Sequence, residues 1–226
     1  RNENLVQEFR RFEWIFSRNF ELPAGLLECR YVYLNCEMVD TFATIRINGR
    51  RVVTMENMFS CARPEVKSLL HPGVNTIEIR FKSAELEAKK AAATMPFPIP
   101  MNGCCKVPNL NLVRKAHCHG GWDWGLTLLV SGVYVPLTLT GVDGGRIDAV
   151  WTEQKHEHNF VGVTAVAEIF AEKPCRMPVA FRFNGEERGV TAALKAGRNL
   201  VRMKFDVASP RLWWPNGLGE QALYAL

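Results

Sequence analysis

The amino-acid sequence predicts an all-β protein built from two β-sandwiches, and three observations support this prediction. Apolar and polar residues alternate with a period of two in many short segments, and turn-forming residues separate these segments at intervals of roughly ten residues. Only residues 83–93 have the composition of a confident helix. The chain has 226 residues, of which 47% are hydrophobic and 23% charged. This composition is typical of a soluble globular protein with room for two modest domains.

The first half of the chain contains the clearest strand patterns. Five strands are predicted there: residues 13–20, 30–36, 40–47, 50–54 and 76–81. Asn48-Gly49 supplies the two positive-φ residues of a type I′ turn, which predicts an antiparallel hairpin. Ser83 is the expected N-cap of the helix over 83–93.

A long irregular connection follows the helix. Four prolines and Gly103 between Met95 and Asn109 exclude regular structure, and such a long loop is normally functional or disordered. Strands are expected to resume at residues 126–130 and 133–140. The larger number of strands and this excursion favour a jelly-roll sandwich for the first domain.

The glycine-rich segment 141–145 is the predicted domain boundary, which divides the chain into residues 1–143 and 144–226. Five strands are predicted after it: residues 146–151, 160–170, 178–183, 186–194 and 200–205. Their spacing resembles an immunoglobulin-like sandwich. Since about eighty residues are fewer than the hundred or so of such a domain, we expect it to be truncated at its C-terminus.

Composition also excludes several classes of function. The net charge is only +5 and the basic residues are scattered, which argues against nucleic-acid and membrane partners. No segment approaches the roughly 18 apolar residues of a membrane span. The seven cysteines are odd in number and irregularly spaced, which favours reduced thiols and leans slightly toward a cytoplasmic location.

Two histidine pairs leave a metal site conceivable. His117 and His119 flank Cys118, and His156 and His158 form a second i, i+2 pair that would share one face of a strand. Because no further ligand pair has a recognisable spacing, we predict no metal site and no cofactor.

The most unusual segment is Trp122-Asp123-Trp124, which has glycines on both sides. An indole ring can cover the apolar face of a sugar while a carboxylate accepts hydrogen bonds from neighbouring hydroxyls. The alternative is a structural corner, with both tryptophans in the core and Asp123 capping local N–H groups. A second aromatic segment, Trp213-Trp214, is interpreted as filling a domain junction.

Several segments together resemble one known family. Residues 40–49 resemble the hairpin signature of the sugar-binding domain of glycoside hydrolase family 2. Residues 57–59, 70–77 and 114–125 are similar to the β-mannosidase branch of that family, and 213–221 resemble the end of its second domain. These matches occur in the family's order and span nearly the whole chain.

The resemblance implies a galactose-binding-like jelly roll, an immunoglobulin-like domain and then a (β/α)8 barrel that is absent from this chain. In such enzymes two glutamates on the barrel act as a retaining pair roughly 5 Å apart. No residue here matches either glutamate. The resemblance assigns Asp123 to hydroxyls of a terminal β-mannoside, with Trp122 and Trp124 as wall or support. It makes Arg114 and Lys115 the residues that hold this loop.

Some positions depart from the family's common pattern, namely Met38, Leu126 and Val135. They leave the subgroup and exact substrate open. The predicted function is the N-terminal, non-catalytic region of a retaining exo-β-mannosidase, inactive by itself. The alternatives are a free-standing carbohydrate-binding module, the same region of a β-galactosidase or β-glucuronidase, and an adhesin-type structural sandwich.

Overall fold

The computed structural model describes residues 2–101 and 103–226. The chain forms two compact units, Arg1–Gly141 and Val142–Leu226. The strands of the first unit are β1 (Trp14–Glu21), β2 (Tyr31–Asn35), β3 (Val39–Asp40), β4 (Ala43–Ile47), β5 (Arg50–Met55), β6 (Val74–Phe81), β7 (Gly132–Val133) and β8 (Thr138–Val142).

Helices are short and confined to the first unit among the described residues. The α-helices are α1 (Glu3–Val6) and α2 (Ala84–Ala93). Single 3-10 turns occupy Gln7–Arg11, Leu26–Glu28, Lys67–Leu69, Leu110–Leu112 and His117–Gly120. The predicted cap of α2 is confirmed, since the Ser83 hydroxyl accepts a hydrogen bond from the Leu86 N–H at 3.2 Å. None of the described helices is long and apolar enough to cross a bilayer.

The first unit is a sandwich around one apolar core. Strands β1, β6, β4 and β5 form an antiparallel sheet in that order. The remaining strands of this unit form two pairs, β2 with β8 and β3 with β7. Inward residues of the two layers are buried together; they include Val32, Leu34, Val39, Ile45, Ile47, Ile79 and Phe81. The predicted hairpin is confirmed, with Asn48 and Gly49 at φ of 49° and 78° and Ile47 paired with Arg50.

A smaller core lies beside the sandwich, under the long irregular connection. Ala84 and Ala88 of α2 pack in it with Val107, Leu110 and Leu129. The connection is therefore ordered and packs against an apolar core of its own. As predicted, its described residues, 95–101 and 103–109, contain no helix or strand.

Three strand predictions in the first unit are wrong in detail. Residues 126–130 form no strand: the Val130 N–H donates to the Leu128 carbonyl at 2.8 Å in a tight turn, and the Val130 carbonyl accepts a hydrogen bond from the Lys115 side chain. The predicted strand 40–47 is divided, since β3 pairs with β7 while β4 joins the larger sheet. The predicted strand 133–140 is also divided, at Pro136, which lacks the N–H that a ladder requires.

The second unit is a sandwich of longer strands: β9 (Gly145–Glu157), β10 (Phe160–Ala171), β11 (Cys175–Phe183), β12 (Glu186–Leu194) and β13 (Gly197–Ala208). Each covers one of the five strands predicted after residue 145. Strand β10 lies between β9 and β13, and β11 pairs with β12. The two sheets bury one core between them, in which Val163, Ala167, Ile169, Phe181 and Phe205 are members. The predicted all-β class, a jelly roll followed by an immunoglobulin-like sandwich, is confirmed.

Candidate functional site

The Trp-Asp-Trp segment is the tip of an exposed turn. The Gly125 N–H donates to the Trp122 carbonyl at 2.8 Å, which closes the turn. Asp123 has a φ of 45°, a left-handed conformation that aspartate tolerates better than most residues. Gly121 precedes the turn at φ 100°, and a Cβ there would lie 2.7 Å from the Thr127 hydroxyl. The glycine is therefore needed both for backbone conformation and for space.

All three side chains at the tip point away from the first unit's core. The exposed fraction is 54% for Trp122 and 101% for Trp124, and Asp123 is also exposed. The alternative of two tryptophans packed in this unit's core is therefore wrong. Exposed apolar surface of this size marks a binding or docking surface. The turn therefore exposes one carboxylate and two indole side chains.

One carboxylate oxygen of Asp123 has a partner in the long connection. The thiol of Cys104 donates to Oδ1 with a sulfur-to-oxygen distance of 3.5 Å. This hydrogen bond raises the pKa of Cys104, because ionising the thiol would remove the donor and place a second negative charge beside the carboxylate.

The loop from Lys115 to Val130 carries the Trp-Asp-Trp turn, and we call it the excursion. The base of the excursion is built on a buried ion pair. The ammonium group of Lys115 contacts the carboxylate of Asp40, and both side chains are fully buried. The same ammonium donates to the Val130 carbonyl at 2.6 Å. Because Lys115 enters the excursion and Val130 leaves it, this hydrogen bond closes the loop at its base. Asp40 ties that closure to β3.

His119 extends this base toward the surface. Its Nδ1 lies 3.3 Å from Oδ2 of Asp40, outside hydrogen-bonding geometry, and its ring stacks on Tyr134 at a centroid distance of 5.9 Å. Burial lowers the pKa of His119, and the Lys115 charge lowers it further against the opposing effect of Asp40. Burial also lowers the pKa of Lys115 and raises that of Tyr134. The base is thus an electrostatically coupled group of side chains.

Arg114 and Lys115, paired in the sequence interpretation, occupy different environments. Arg114 is exposed, and its contribution is through the backbone, since its carbonyl accepts from the Met58 N–H at 3.0 Å. This bond fastens the start of the excursion to the segment after β5. Of the two basic residues, only Lys115 contacts the buried base.

Other features that the sequence singled out are the second aromatic segment, the cysteines and the possible metal ligands. In the second unit, Trp213 and Trp214 have exposed fractions of 54% and 48% and lie in a short bridge with Gln221 and Glu220. All seven cysteines are present as thiols, and burial raises the pKa of Cys36 to about 12. Within the described ranges, no group of three or more His, Cys, Asp or Glu side chains could hold a metal ion.

Sequence reasoning missed two residues of the site. Asp40 was read as part of a continuous strand, although an aspartate at a strand end is unusual enough to suggest a specific partner. Cys104 is predicted only to be one of seven reduced thiols, with no role in the site. Its place next to Asp123 depends on how the long connection packs against the Trp-Asp-Trp turn, which no local pattern indicates.

Comparison with protein families places this site in a known context. Residues 1–135 match the model described as the glycosyl hydrolase 2 galactose-binding domain-like domain. The match covers more than half of the chain, including the Trp-Asp-Trp turn and its base.

Curated relatives point to the same family. The β-mannosidase B of Emericella nidulans is 32% identical over 236 residues, which cover 100% of this chain and 27% of that protein. The β-mannosidase B of Thermothelomyces thermophilus is 34% identical over 230 residues, covering 99% of this chain and 26% of that protein. The chain therefore spans about a quarter of the length of these relatives.

Solved structures agree with the sequence relatives. A β-D-mannosidase from Dictyoglomus thermophilum superposes with a TM-score of 0.89 at 29% identity, over 99% of this chain and 28% of that one. An exo-chitosanase from Amycolatopsis orientalis, at 16% identity and a TM-score of 0.67 over 95% of this chain and 23% of that one, shares the fold alone. The chain corresponds to the N-terminal part of β-mannosidase-like proteins, and it belongs to glycoside hydrolase family 2.

Proposed function

We propose that this chain is part of a retaining exo-β-mannosidase that hydrolyses terminal β-D-mannosyl residues. In this proposal residues 1–143 form the sugar-binding domain and residues 144–226 the immunoglobulin-like domain. The two catalytic glutamates lie on a downstream (β/α)8 barrel, as the family resemblance implies. The chain alone is then inactive, because it supplies neither the general acid nor the nucleophile.

The observation that carries the proposal is the exposed Trp-Asp-Trp turn on a rigid base. Asp123 and both neighbouring tryptophans are exposed, and Lys115 closes the loop that carries them. In a sugar pocket the carboxylate would accept hydrogen bonds from hydroxyls of the terminal mannose, with Trp122 and Trp124 as wall or support. A buried base keeps such a turn in one geometry, which positioning for catalysis requires.

The proposal is tested by hydrolysis of aryl β-mannoside, β-galactoside and β-glucuronide by the full-length parent protein. We expect selective turnover of the mannoside. Preferential turnover of either other glycoside would assign the protein to that sibling activity instead. Turnover of none would favour the second candidate.

That second candidate is a free-standing carbohydrate-binding module, favoured by the full exposure of Trp124. Calorimetry of the isolated chain with mannose separates the two. If the pocket is completed by another domain, few contacts remain in the fragment and binding should be very weak. Millimolar or tighter affinity of the fragment would support the binding module.

A further inference from the structure

The thiol of Cys104 lies where it can control the carboxylate that the proposed function assigns to the sugar. Its Sγ is 3.5 Å from Oδ1 of Asp123, within the range for a sulfur donor. The two residues are 19 positions apart, with Cys104 in the long irregular connection and Asp123 in the Trp-Asp-Trp turn. Their contact is therefore a product of the tertiary fold.

The position of Cys104 is held by its neighbours in the chain. The Lys106 N–H donates to the Gly120 carbonyl at 2.8 Å, and the buried thiol of Cys105 lies 3.7 Å from the same oxygen. A Cβ on Gly120 would lie 2.6 Å from the Cys105 sulfur and 2.5 Å from Leu110. The backbone at Gly120 therefore approaches these two side chains as closely as a glycine permits. This close packing at Gly120 places residue 104 beside the turn that begins at Trp122.

The two adjacent cysteines consequently differ in their surroundings. Cys105 is buried in the small apolar core, whereas Cys104 is partly exposed at the tip. A protonated thiol at Cys104 occupies one oxygen of Asp123 and leaves the other free to accept from a ligand. A thiolate would instead repel the carboxylate, and the raised pKa of Cys104 keeps the donor form at neutral pH.

We propose that Cys104 is a positioning residue that orients the Asp123 carboxylate toward the hydroxyls of the bound sugar. The inference rests on the proposed function, because it deepens the role of the same turn. It adds a residue of the proline-rich connection to the sugar pocket. It also makes the Cys104 thiol a reporter of pocket occupancy.

The kinetic test uses Cys104→Ala and Cys104→Ser in the full-length protein, with aryl β-mannoside as substrate. We expect Cys104→Ala to lower kcat/KM about tenfold, the effect of one lost hydrogen bond to a charged group, with an unchanged Tm. The serine variant, which keeps a hydroxyl donor, should recover most of the loss. In an Asp123→Ala background Cys104→Ala should have no further effect, whereas a merely structural role would add its cost there.

The contact itself is tested without substrate, by the pH dependence of Cys104 alkylation with iodoacetamide. Peptide mass spectrometry follows the modification, with Cys104→Ser as the blank that distinguishes it from Cys105. In Asp123→Asn the carboxylate charge is gone, so alkylation should begin at lower pH than in the unsubstituted protein. Saturating mannose should slow alkylation of the unsubstituted protein.

These outcomes distinguish failure of the inference from failure of the proposed function. An unshifted pH profile in Asp123→Asn, or Cys104→Ala kinetics equal to the unsubstituted protein, would overturn the positioning role while mannoside hydrolysis stands. Alkylation that is indifferent to mannose would likewise overturn it. If the full-length protein turns over no mannoside but the profile shifts, the thiol–carboxylate contact stands and both functional assignments fall.

Discussion

The tip and the base of the Trp-Asp-Trp excursion differ in almost every physical respect. At the tip, Asp123 and Trp124 are exposed, and the turn is closed by one backbone hydrogen bond. At the base, Asp40 and Lys115 are fully buried and in contact, and Lys115 also bonds the Val130 carbonyl. The base contributes to folding, whereas the tip has few intramolecular contacts to lose.

The residues that hold the turn in place are therefore different from the residues that we propose contact a ligand. An exposed aromatic turn would sample many conformations if its two ends were free. Because Lys115 joins the two ends and Asp40 joins them to β3, the ordering cost is met within the domain before any ligand arrives. The comparison predicts that substitutions at the base change stability most and that substitutions at the tip change activity.

The largest effect is expected for Lys115→Met, which removes one partner of the buried pair. The Asp40 carboxylate would remain buried without a compensating charge, and the Val130 carbonyl would lose its donor. We expect a loss of about 3–5 kcal/mol in the free energy of unfolding, measured by urea denaturation.

The matched control is Lys90→Met, which removes an exposed lysine whose ammonium group pairs with Glu87 at 2.7 Å on α2. It should change stability by less than about 0.5 kcal/mol. Adding Asp40→Asn to Lys115→Met should restore part of the loss, since no buried charge then lacks a partner. Equal effects of the two lysine substitutions would contradict the distinction between base and surface.

At the tip, Asp123→Ala in the full-length protein should lower kcat/KM for aryl β-mannoside while leaving Tm nearly unchanged. A lost charged hydrogen-bonding partner should cost about 2–4 kcal/mol of transition-state binding. Asp123→Asn is the sharper variant, because asparagine also tolerates the positive φ and removes only the charge. A fall in Tm with unchanged kinetics would instead make Asp123 a local cap.

The smallest effect is expected from pH, through His119. Its pKa is lowered in the folded protein by burial and by Lys115, while Asp40 opposes the shift; Tyr134 stacks on the ring. Between the lowered pKa and about 6.5, the unfolded chain binds a proton that the folded protein does not. Stability is therefore complete above about pH 6.5 and is lost as pH falls through this window.

His119→Gln should flatten this part of the stability profile, as measured by Tm between pH 5 and 7.5, values that bracket the ordinary histidine pKa of about 6.5. The control is His117→Gln, the same substitution at an exposed histidine two residues away. An identical slope in all three proteins would show that His119 does not couple protonation to folding.

Local patterns predicted most of the strands because their causes are local. The Asn48-Gly49 turn and the Ser83 cap each depend on residues that are adjacent or three positions apart, and both are confirmed. The wrong predictions concern residues whose partners are distant. Residues 126–130 are predicted as a strand, yet they form none, and the Val130 carbonyl bonds a side chain 15 residues away.

The candidate site divides in the same way. Trp122-Asp123-Trp124 was recognisable because the combination of residue types is unusual and carries its own chemistry. The partners of that turn and of its base were not recognisable, because Cys104 reaches Asp123 and Asp40 reaches Lys115 only through the tertiary fold. Even the neighbouring residues Arg114 and Lys115 differ, one exposed and one buried, for reasons that belong to the packing around them.

By itself, the sequence determined the all-β class, the hairpins, the helix and the identity of the exposed turn, because periodicity, turn chemistry and capping act over a few residues. Only the tertiary structure decided which side chains support that turn. Burying Lys115 is tolerable only if a carboxylate and a carbonyl meet it, and those groups come from positions 40 and 130. The free energy of a buried charge depends on its three-dimensional surroundings, which no local pattern encodes.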